Sequence, residues 1–326
     1  ATASLRGLDD AMKHLGEHIG VRHPLAVDIL RSRCALRREL GDATRAEADC
    51  QAALALALQL HGSDSRAGVD ARRQLAALHV DQGHYAQAQR EFEETQAWLI
   101  ARLGAEHPEV ARNYNSLGIT AWERGDLKAA LPALAHAVAI WRRGPNKSLL
   151  AAGLFNQAMV LHEAGSDAEA WPLLQESRAL RVEQFGEQHG VVGDTDRLIG
   201  EVAAALGRMP EAKDALRTSV ALTRADYGPA HSHTLRSELS QARVLAAEGN
   251  ATALRRMAEI AGRPAANDEL RKARWLARAY LAETRCRSEP GLAQAELDAI
   301  GQEMQATLPE GGAVLREVAA IRSACT

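Results

Sequence analysis

The stretch GAEHPEVARNYNSLGITAWERGDLKAALPALAHAVAIWRRG, residues 104–144, contains the pattern that decides the fold. Glycines at 104 and 125 bracket one amphipathic segment, and glycines at 125 and 144 bracket a second one. Apolar residues recur every three or four positions in both segments, as they do on one face of an α-helix. Each glycine stands where a left-handed residue ends a helix, a conformation that costs glycine no steric strain. The stretch therefore predicts two helices joined by a tight turn.

The same glycine interval runs through most of the chain. Leu270 interrupts the series, and Gly291 resumes its phase. The interval is 21 residues, with one contraction to 19 after position 125, and the glycines stand at 20, 41, 62, 83, 104, 125, 144, 165, 186, 207, 228 and 249. We expect these glycines to end helices, so that two helices make one repeat of 42 residues.

Small and bulky residues alternate at fixed distances from every second glycine. Seven residues before it stands a small residue or cysteine: Cys34, Ala76, Gly118, Ala158 and Gly200. Five residues after it stands alanine: Ala46, Ala88, Ala130, Ala170 and Ala212. Nine residues after it stands a larger residue: Cys50, Phe92, Leu134, Leu174 and Leu216. Small residues let two antiparallel helices approach closely, so this pattern predicts a packed helical hairpin.

The composition agrees with a helical array and reduces the classes of partner that the chain could bind. The 326 residues exceed the usual size of one compact core, and no alternating β-branched runs predict a sheet. The net charge of -3 argues against nucleic acid as a partner, because phosphate binding needs a concentrated basic surface. The longest apolar run, residues 52–58, is too short to cross a bilayer. The chain begins with Ala and shows no signal peptide, so we expect a processed chain or a piece of a longer one.

This alternation of small and large positions resembles the tetratricopeptide repeat. The 42-residue period and the linkers LGAEHPEVA (103–111), GVRHPLAV (20–27) and GEQHG (186–190) resemble its kinesin-light-chain-like subclass. The resemblance implies an all-α superhelix of about seven helical hairpins with terminal capping helices. We expect residues 1–19 to form a half repeat or cap, residues 20–262 to form five to six repeats, and residues 263–326 to form a divergent repeat with a capping helix near 312–325.

No motif for catalysis or cofactor binding is found. Nucleophile motifs, a P-loop, a dinucleotide fingerprint and zinc-type cysteine spacing are all missing, so we expect neither an enzyme nor a cofactor. Four histidines share one linker position and are interpreted as helix-entry residues: His23, His107, His189 and His231. His14 and His18 lie four residues apart on one helix, but no third ligand at a defined spacing accompanies them, so no metal site is expected.

Four cysteines form two candidate disulfides. Cys34 and Cys50 lie on either side of one hairpin turn at facing positions. Cys286 ends the first helix of the last repeat, and Cys325 comes close to it if the final helix stacks as a further first helix. Disulfides would indicate an oxidising compartment. The alternative is that Cys34 and Cys50 are reduced core residues, because a free cysteine packs as a small hydrophobe.

The resemblance also implies a concave groove lined by the first helix of each repeat, where ligand peptides usually lie. The candidate partner-binding residues carried over to it are Arg31, Arg73, Arg112, Asn115, Trp122, Phe155, Asn156, Met159, Arg197, Arg236 and Arg243. Arginines can hold carboxylates bidentately, and asparagines can hold a peptide backbone. The alternative is a solvated helix face on which Asp28, Asp70 and Asp194 pair with the arginines. The lysine and asparagine carboxylate clamp of the family is not reproduced here.

The expected function is therefore a non-catalytic module that binds a protein or peptide. Bacterial proteins with this subclass of repeat often join it to another domain, such as a membrane-anchored Ser/Thr kinase or a transcriptional regulator. The paired cysteines and the incomplete first repeat favour the extracytoplasmic sensor region of such a kinase, and hence a periplasmic location. The alternative is a cytoplasmic scaffold or regulator that assembles or inhibits an enzyme. No direct membrane insertion of this segment is expected, and the sequence leaves the oligomeric state open.

Overall fold

The computed structural model describes residues 2–265, 267–308 and 310–325, without the side chains of Thr2 and Glu39. Within these residues the chain is all-α, as predicted, and forms sixteen helices. The expected segments 1–19 and 263–326 include Ala1, Ala266, Pro309 and Thr326, which lie outside the described residues. The helices are α1 Thr2–His18, α2 Pro24–Glu39, α3 Ala43–His61, α4 Arg66–Asp81, α5 Tyr85–Leu103, α6 Pro108–Glu123, α7 Leu127–Arg143, α8 Lys147–Glu163, α9 Asp167–Phe185, α10 Gly190–Ala205, α11 Met209–Tyr227, α12 Ser232–Ala246, α13 Ala251–Ala261, α14 Asp268–Arg285, α15 Pro290–Thr307 and α16 Ala313–Ala324.

Fourteen of these helices pair as seven antiparallel hairpins, from α2/α3 to α14/α15, as expected. Each second helix also packs on the first helix of the next hairpin, which builds a continuous stack of neighbouring hairpins along the chain. Helix α1 packs on α2, and α16 packs on both α14 and α15. The array is therefore a solenoid that has one additional helix at each end.

The repeating glycines end helices, as predicted, except for Gly291, and all of those that do so except Gly144 are left-handed. Positive φ angles occur at Gly20, Gly41, Gly62, Gly83, Gly104, Gly125, Gly165, Gly186, Gly207, Gly228 and Gly249. Gly144 is instead extended, with φ -97°, because Pro145 follows it and disfavours the helical region for the preceding residue. Gly291 lies inside α15 beside Pro290, so its assignment to the glycine series is wrong.

Close contact between the two helices of a hairpin explains the alternation of small and large residues. A Cβ added to Gly118 would lie 2.6 Å from Leu134 Cγ, and one added to Gly200 would lie 2.5 Å from Leu216 Cγ. The five alanines that follow the turn glycines are all fully buried. The bulky side chain of one helix thus fills the space that the small residue of the other leaves open.

The histidine linkers begin helices, as interpreted from the sequence. The Nδ1 atom of His107 accepts the backbone N–H of Glu109 at 3.1 Å, and His189 accepts that of Val191 at 3.1 Å. His23 and His231 make the same contact two residues ahead. These rings replace the Ser, Thr, Asp or Asn that usually caps a helix N-terminus.

Candidate functional site

The first helices of successive hairpins form one continuous surface, here called the inner face. Helices α2, α4, α6, α8, α10, α12 and α14 comprise this layer, and those at neighbouring positions contact one another at most steps. Within the described residues, the stronger contacts of each second helix are made with the helices that precede and follow it in the chain, and not with another second helix. Since the layer whose helices approach each other has the tighter curvature, the inner face is the concave one.

Carboxylates of the chain itself hold the arginines at the N-terminal end of the inner face. Arg31 lies 3.3 Å from Asp28, and Arg73 donates to Glu109 at 2.8 Å. Burial raises the pKa of Glu109, but the hydrogen bond and charge of Arg73 outweigh it with help from neighbouring arginines, and the pKa lies below its usual value. Arg112 is the most accessible of these arginines, with 49% of its side chain exposed.

Amide and apolar groups occupy the middle of the inner face. Asn156 donates an Nδ2–H to Asn115 Oδ1 at 2.9 Å, which links α8 to α6. Phe155 and Met159 are half-buried against the core between the hairpins, and the Arg181 guanidinium lies 4.6 Å from the Phe155 ring centre. The structure thus places these four candidate residues on adjacent helices, with part of each side chain accessible.

A charged network joins α10 to α12 on the inner face. Both carboxylate oxygens of Glu201 accept from Arg197 at 2.7 Å, and Ser240 donates to the same carboxylate at 2.5 Å. Burial raises the pKa of Glu201, but the charges of Arg197 and His162 and the Ser240 hydrogen bond bring it below its usual value. The charge of Arg236 acts on the same carboxylate.

Arg243 connects this network to the end of the chain. Its guanidinium donates to both oxygens of Glu283 at 2.9 Å and to Glu317 at 3.2 Å. Tyr280 donates to Glu317 at 2.6 Å, and Arg243 lies over its ring at 4.6 Å. Burial and the Glu317 charge raise the pKa of Tyr280 well above its usual value, so the phenol stays protonated and donates.

The alternative interpretation, in which three aspartates pair with the arginines of this face, is right in part. Asp28 pairs with Arg31, and Asp70 lies 3.7 Å from Arg73. Asp194 instead accepts from His233 at 2.8 Å and from Tyr227 at 3.1 Å. The inner face is therefore a mixed surface of acids and bases rather than a row of free cations.

Residues 310–317, here called the strap, cross from the last hairpin to the other side of the solenoid. Glu310 accepts the backbone N–H of Ala86 at 2.7 Å, near the start of α5. The backbone N–H of Ala313 donates to Glu123 at 2.9 Å. These contacts join residues 224 and 190 positions apart, so the superhelix closes on itself.

Arg316 makes the most extensive contacts of the strap. It donates to both oxygens of Glu163, at 2.7 and 3.2 Å, and to the backbone carbonyl of Glu123 at 2.6 Å. Its guanidinium lies 5.9 Å from the ring centre of Trp122, whose Nε1–H also donates to Glu163. The indole of Trp122, which the sequence predicts to contact a partner, thus lies beside an arginine of the same chain.

Two glycines give the strap its close approach. Gly311 and Gly312 both have positive φ angles, which other residues rarely adopt. A Cβ on Gly312 would lie 2.9 Å from Tyr85 Oη and 3.3 Å from Glu123 Oε2. Burial and the nearby Glu123 charge raise the pKa of Tyr85, so this phenol is neutral beside the strap.

Both cysteine pairs are disulfides in the structure. Cys34 and Cys50 join α2 to α3 with a Cα–Cα distance of 5.4 Å. Cys286 and Cys325 join the end of α14 to the end of α16 with a Cα–Cα distance of 5.0 Å. The second disulfide fixes the helix that carries Arg316 and Glu317 against the last hairpin.

One group of side chains could hold a metal ion. His14, Glu17 and His18 are exposed on α1, and a ligand atom of each lies within 4.8 Å of the others. His18 Nδ1 contacts the carbonyl of His14 at 3.0 Å, which leaves Nε2 available. Glu17 is the third donor that the sequence interpretation missed, because it considered only the histidine pair.

Within the described residues, no helix combines the length and apolar character needed to cross a membrane.

Sequence reasoning also missed the residues that receive the strap. Tyr85, Glu123 and Glu163 stand at helix ends without a motif. Their common partners lie 150 or more residues away, so only the curvature of the whole array brings them together. The one signal in the sequence is the GlyGly pair at 311–312, in which Gly312 lies three intervals of 21 residues after Gly249 and Gly311 is additional to the series.

Comparison with known proteins agrees with this architecture. The family model described as tetratricopeptide repeat matches residues 71–143, a smaller part of the chain than the expected repeats. None of the curated proteins compared with the chain is significantly similar to it. The matched repeats include α6 and α7, from which the fold was predicted.

Solved structures share the fold at low sequence identity. BtubC (BKLC) from P. vanneervenii is 19% identical with a TM-score of 0.56, covering 68% of this chain and 89% of that one. The nearly identical TPR-like repeats of a protein described as a kinesin light chain from Podospora anserina are 18% identical with a TM-score of 0.52, covering 62% and 97%. A Rap protein complexed with competence and sporulation factor is 12% identical with a TM-score of 0.57, covering 93% and 99%. Residues 71–143 thus match the tetratricopeptide repeat, and the chain has the solenoid fold of kinesin-light-chain-like repeat proteins.

Proposed function

We propose that the inner face binds a peptide or an extended segment of a partner protein. The observation that carries this proposal is the hydrogen-bonded pair Asn115–Asn156 beside the exposed Arg112. Each asparagine uses one amide group in the pair, which leaves its other group to bond a peptide backbone. Arg112 adds a cation with about half of its side chain in solvent. Together they offer backbone recognition and a charge contact on adjacent helices.

Support also comes from the extent of the charged inner face. The networks of Arg197 and Arg243 are satisfied within the chain, so they hold the wall in one geometry. A rigid wall lowers the entropy cost of binding, because few side chains must be ordered when the ligand arrives. The Rap protein structure, whose fold extends over 93% of this chain, contains a bound factor, which is consistent with a ligand on such a surface.

The test is the double variant Arg112→Glu with Asn156→Ala. It removes the cation and one amide, and we expect partner binding in a pull-down or calorimetric titration to fall at least about tenfold, which is about 1.4 kcal/mol. A matched control is Arg45→Glu with Gln51→Ala on α3, which changes the same residue charges on an exposed second helix. Equal affinity of the two variants would show that the inner face is not the binding surface.

We further propose that the chain is the sensor or regulatory region of a larger bacterial signalling protein, in an extracytoplasmic compartment. The two disulfides support the compartment, since disulfides persist where thiols are not kept reduced. The link to a Ser/Thr kinase rests on the repeat subclass alone. Counting thiols on unreduced protein tests the location: no free thiol is expected, and four would favour the cytoplasmic scaffold.

A further inference from the structure

The strap presents its charges to helix ends of opposite polarity. Glu310 lies at the N-terminus of α5, where unpaired backbone N–H groups favour an anion. Arg316 lies at the C-termini of α6 and α8, where unpaired carbonyls favour a cation. Two strap residues of opposite charge, six positions apart, thus lie at helix ends whose partial charges they complement, and these three helix ends belong to three different hairpins.

The groups that receive Arg316 have the composition of a binding site for an arginine. A carboxylate accepts two N–H groups, a backbone carbonyl accepts a third, and an indole lies at the side. Bidentate pairing and stacking on an aromatic ring are the two contacts that distinguish arginine from lysine. We call Trp122, Glu123 and Glu163 the acceptor site. It stands at one edge of the inner face, at the ends of α6 and α8.

The contact between the strap and the acceptor site can be broken by competing groups. Both side chains of the Arg316–Glu163 pair are 29% exposed, so water competes for each of them. The strap has no regular structure at Gly311 and Gly312, and its partly buried Val314 and Leu315 pack on the core of the C-terminal hairpins rather than on the acceptor site. Residues 313–317 of the strap begin α16, and the Glu317 contacts and the Cys286–Cys325 disulfide hold this helix to the last hairpin. The contacts of Glu310 and Arg316 can therefore break while the strap stays beside its site.

We propose that the strap is an internal ligand: the acceptor site binds an arginine-bearing segment of the partner, and the strap occupies it until the partner displaces it. This inference rests on the proposed function, because it names the partner chemistry and the regulation of the same inner face. Since the strap is tethered, its effective concentration exceeds that of a free peptide of similar affinity. A partner must therefore make additional contacts on the inner face to displace it.

The test uses the whole chain and a labelled peptide with the sequence of residues 310–318, EGGAVLREV. Its binding is followed by fluorescence anisotropy with the intact chain, with Glu310→Ala/Arg316→Ala, and with the matched control Asp298→Ala/Arg322→Ala. The control removes an acid and an arginine that pair with each other on α15 and α16, away from the acceptor site. We expect the strap variant to bind the peptide at least about tenfold more tightly than the other two chains. This factor corresponds to a strap that occupies the acceptor site in about nine of ten molecules, because only the remaining molecules can then bind the peptide.

A third substitution locates the bound peptide. Adding Glu163→Gln to the strap variant should abolish the gain, because the neutral amide cannot pair with the peptide arginine at both oxygens. Equal peptide affinity of the intact chain and the strap variant would overturn the inference, and so would a gain that Glu163→Gln leaves unchanged. If either occurs while Arg112→Glu with Asn156→Ala still weakens partner binding, the proposed function stands without the strap. Far-UV circular dichroism checks that all variants are folded.

Discussion

The contact between α7 and α8 makes a sharp prediction about Gly153. A Cβ at this position would lie 2.7 Å from Trp141 Cζ3, 2.8 Å from Trp141 Cε3 and 3.0 Å from Val138 Cγ2. The Trp141 side chain is only 3% exposed and packs with Leu154 in the same core cluster, so the ring has no free space to enter. Gly153→Ala therefore forces the two helices apart or moves the indole.

The size of the effect follows from two opposing terms. Replacing a helix-interior glycine by alanine contributes about 0.5–1 kcal/mol of stability, because the unfolded chain loses freedom. Overpacking a close-packed core costs about 1–3 kcal/mol. Gly153→Ala should therefore lower the free energy of unfolding by about 1 kcal/mol. The matched control is Gly301→Ala in α15, where no atom lies within 4 Å of the added Cβ and only the favourable term remains.

Thermal unfolding followed by circular dichroism measures both variants. We expect Gly301→Ala to raise the melting temperature and Gly153→Ala to lower it, by about 2 °C each for a chain of this size. Tryptophan fluorescence should shift in Gly153→Ala alone, because Trp141 is the residue displaced. If Gly153→Ala stabilises the protein as much as Gly301→Ala does, the close approach of α7 and α8 is wrong.

Three further predictions concern charge and covalent links. Burial raises the pKa of Glu201, but the charges of Arg197 and His162 outweigh it and hold the pKa below its usual value. The contribution of Glu201 to stability is therefore present above the unfolded-state pKa and is lost as the pH falls through the folded-state pKa; Glu201→Gln should make the melting temperature depend less on acid pH, and an equal fall in both proteins on acidification would contradict this. Replacing both Cys286 and Cys325 by alanine should cost about 4 kcal/mol, from the loop-entropy relation for their separation of 39 residues, and an unchanged midpoint in guanidinium would contradict it. Asp49→Ala should cost about 3 kcal/mol, because it leaves the buried Arg37 without its closest carboxylate; urea unfolding measures this, and a loss under 1 kcal/mol would count against the pair.

Local spacing was enough to predict the repeating part of the fold. The distances from each turn glycine to Gly118 and Leu134, or to Gly200 and Leu216, specify helix packing because both partners lie in one hairpin. The exception at Gly144 has an equally local cause, the following proline, which could have been read from the sequence.

The candidate site was harder to predict, because its contacts depend on the sum of many small rotations between hairpins. The sequence places Arg243 and Trp122 on the inner face, but it does not show that Glu317 and Arg316 return to them. An error of a few degrees per repeat would separate the strap from Glu163 entirely. The pairing of Arg73 with Glu109 of the next hairpin was missed for the same reason, although Asp70 had been named as a possible partner. The partner of Arg197 is local, since Glu201 lies four residues later on α10, and its spacing could have been read from the sequence.

Ring closure changes how this repeat protein should lose its structure. In an open array each unit touches only its neighbours, and stability is a nearest-neighbour sum that lets the ends fray. Here the bonds from Ala86 to Glu310 and from Glu163 to Arg316 connect early and late units directly. The late units cannot detach without first breaking these bonds, so fraying from the C-terminus is suppressed. The long sequence separation of the same bonds also makes closure a late and slow step of folding.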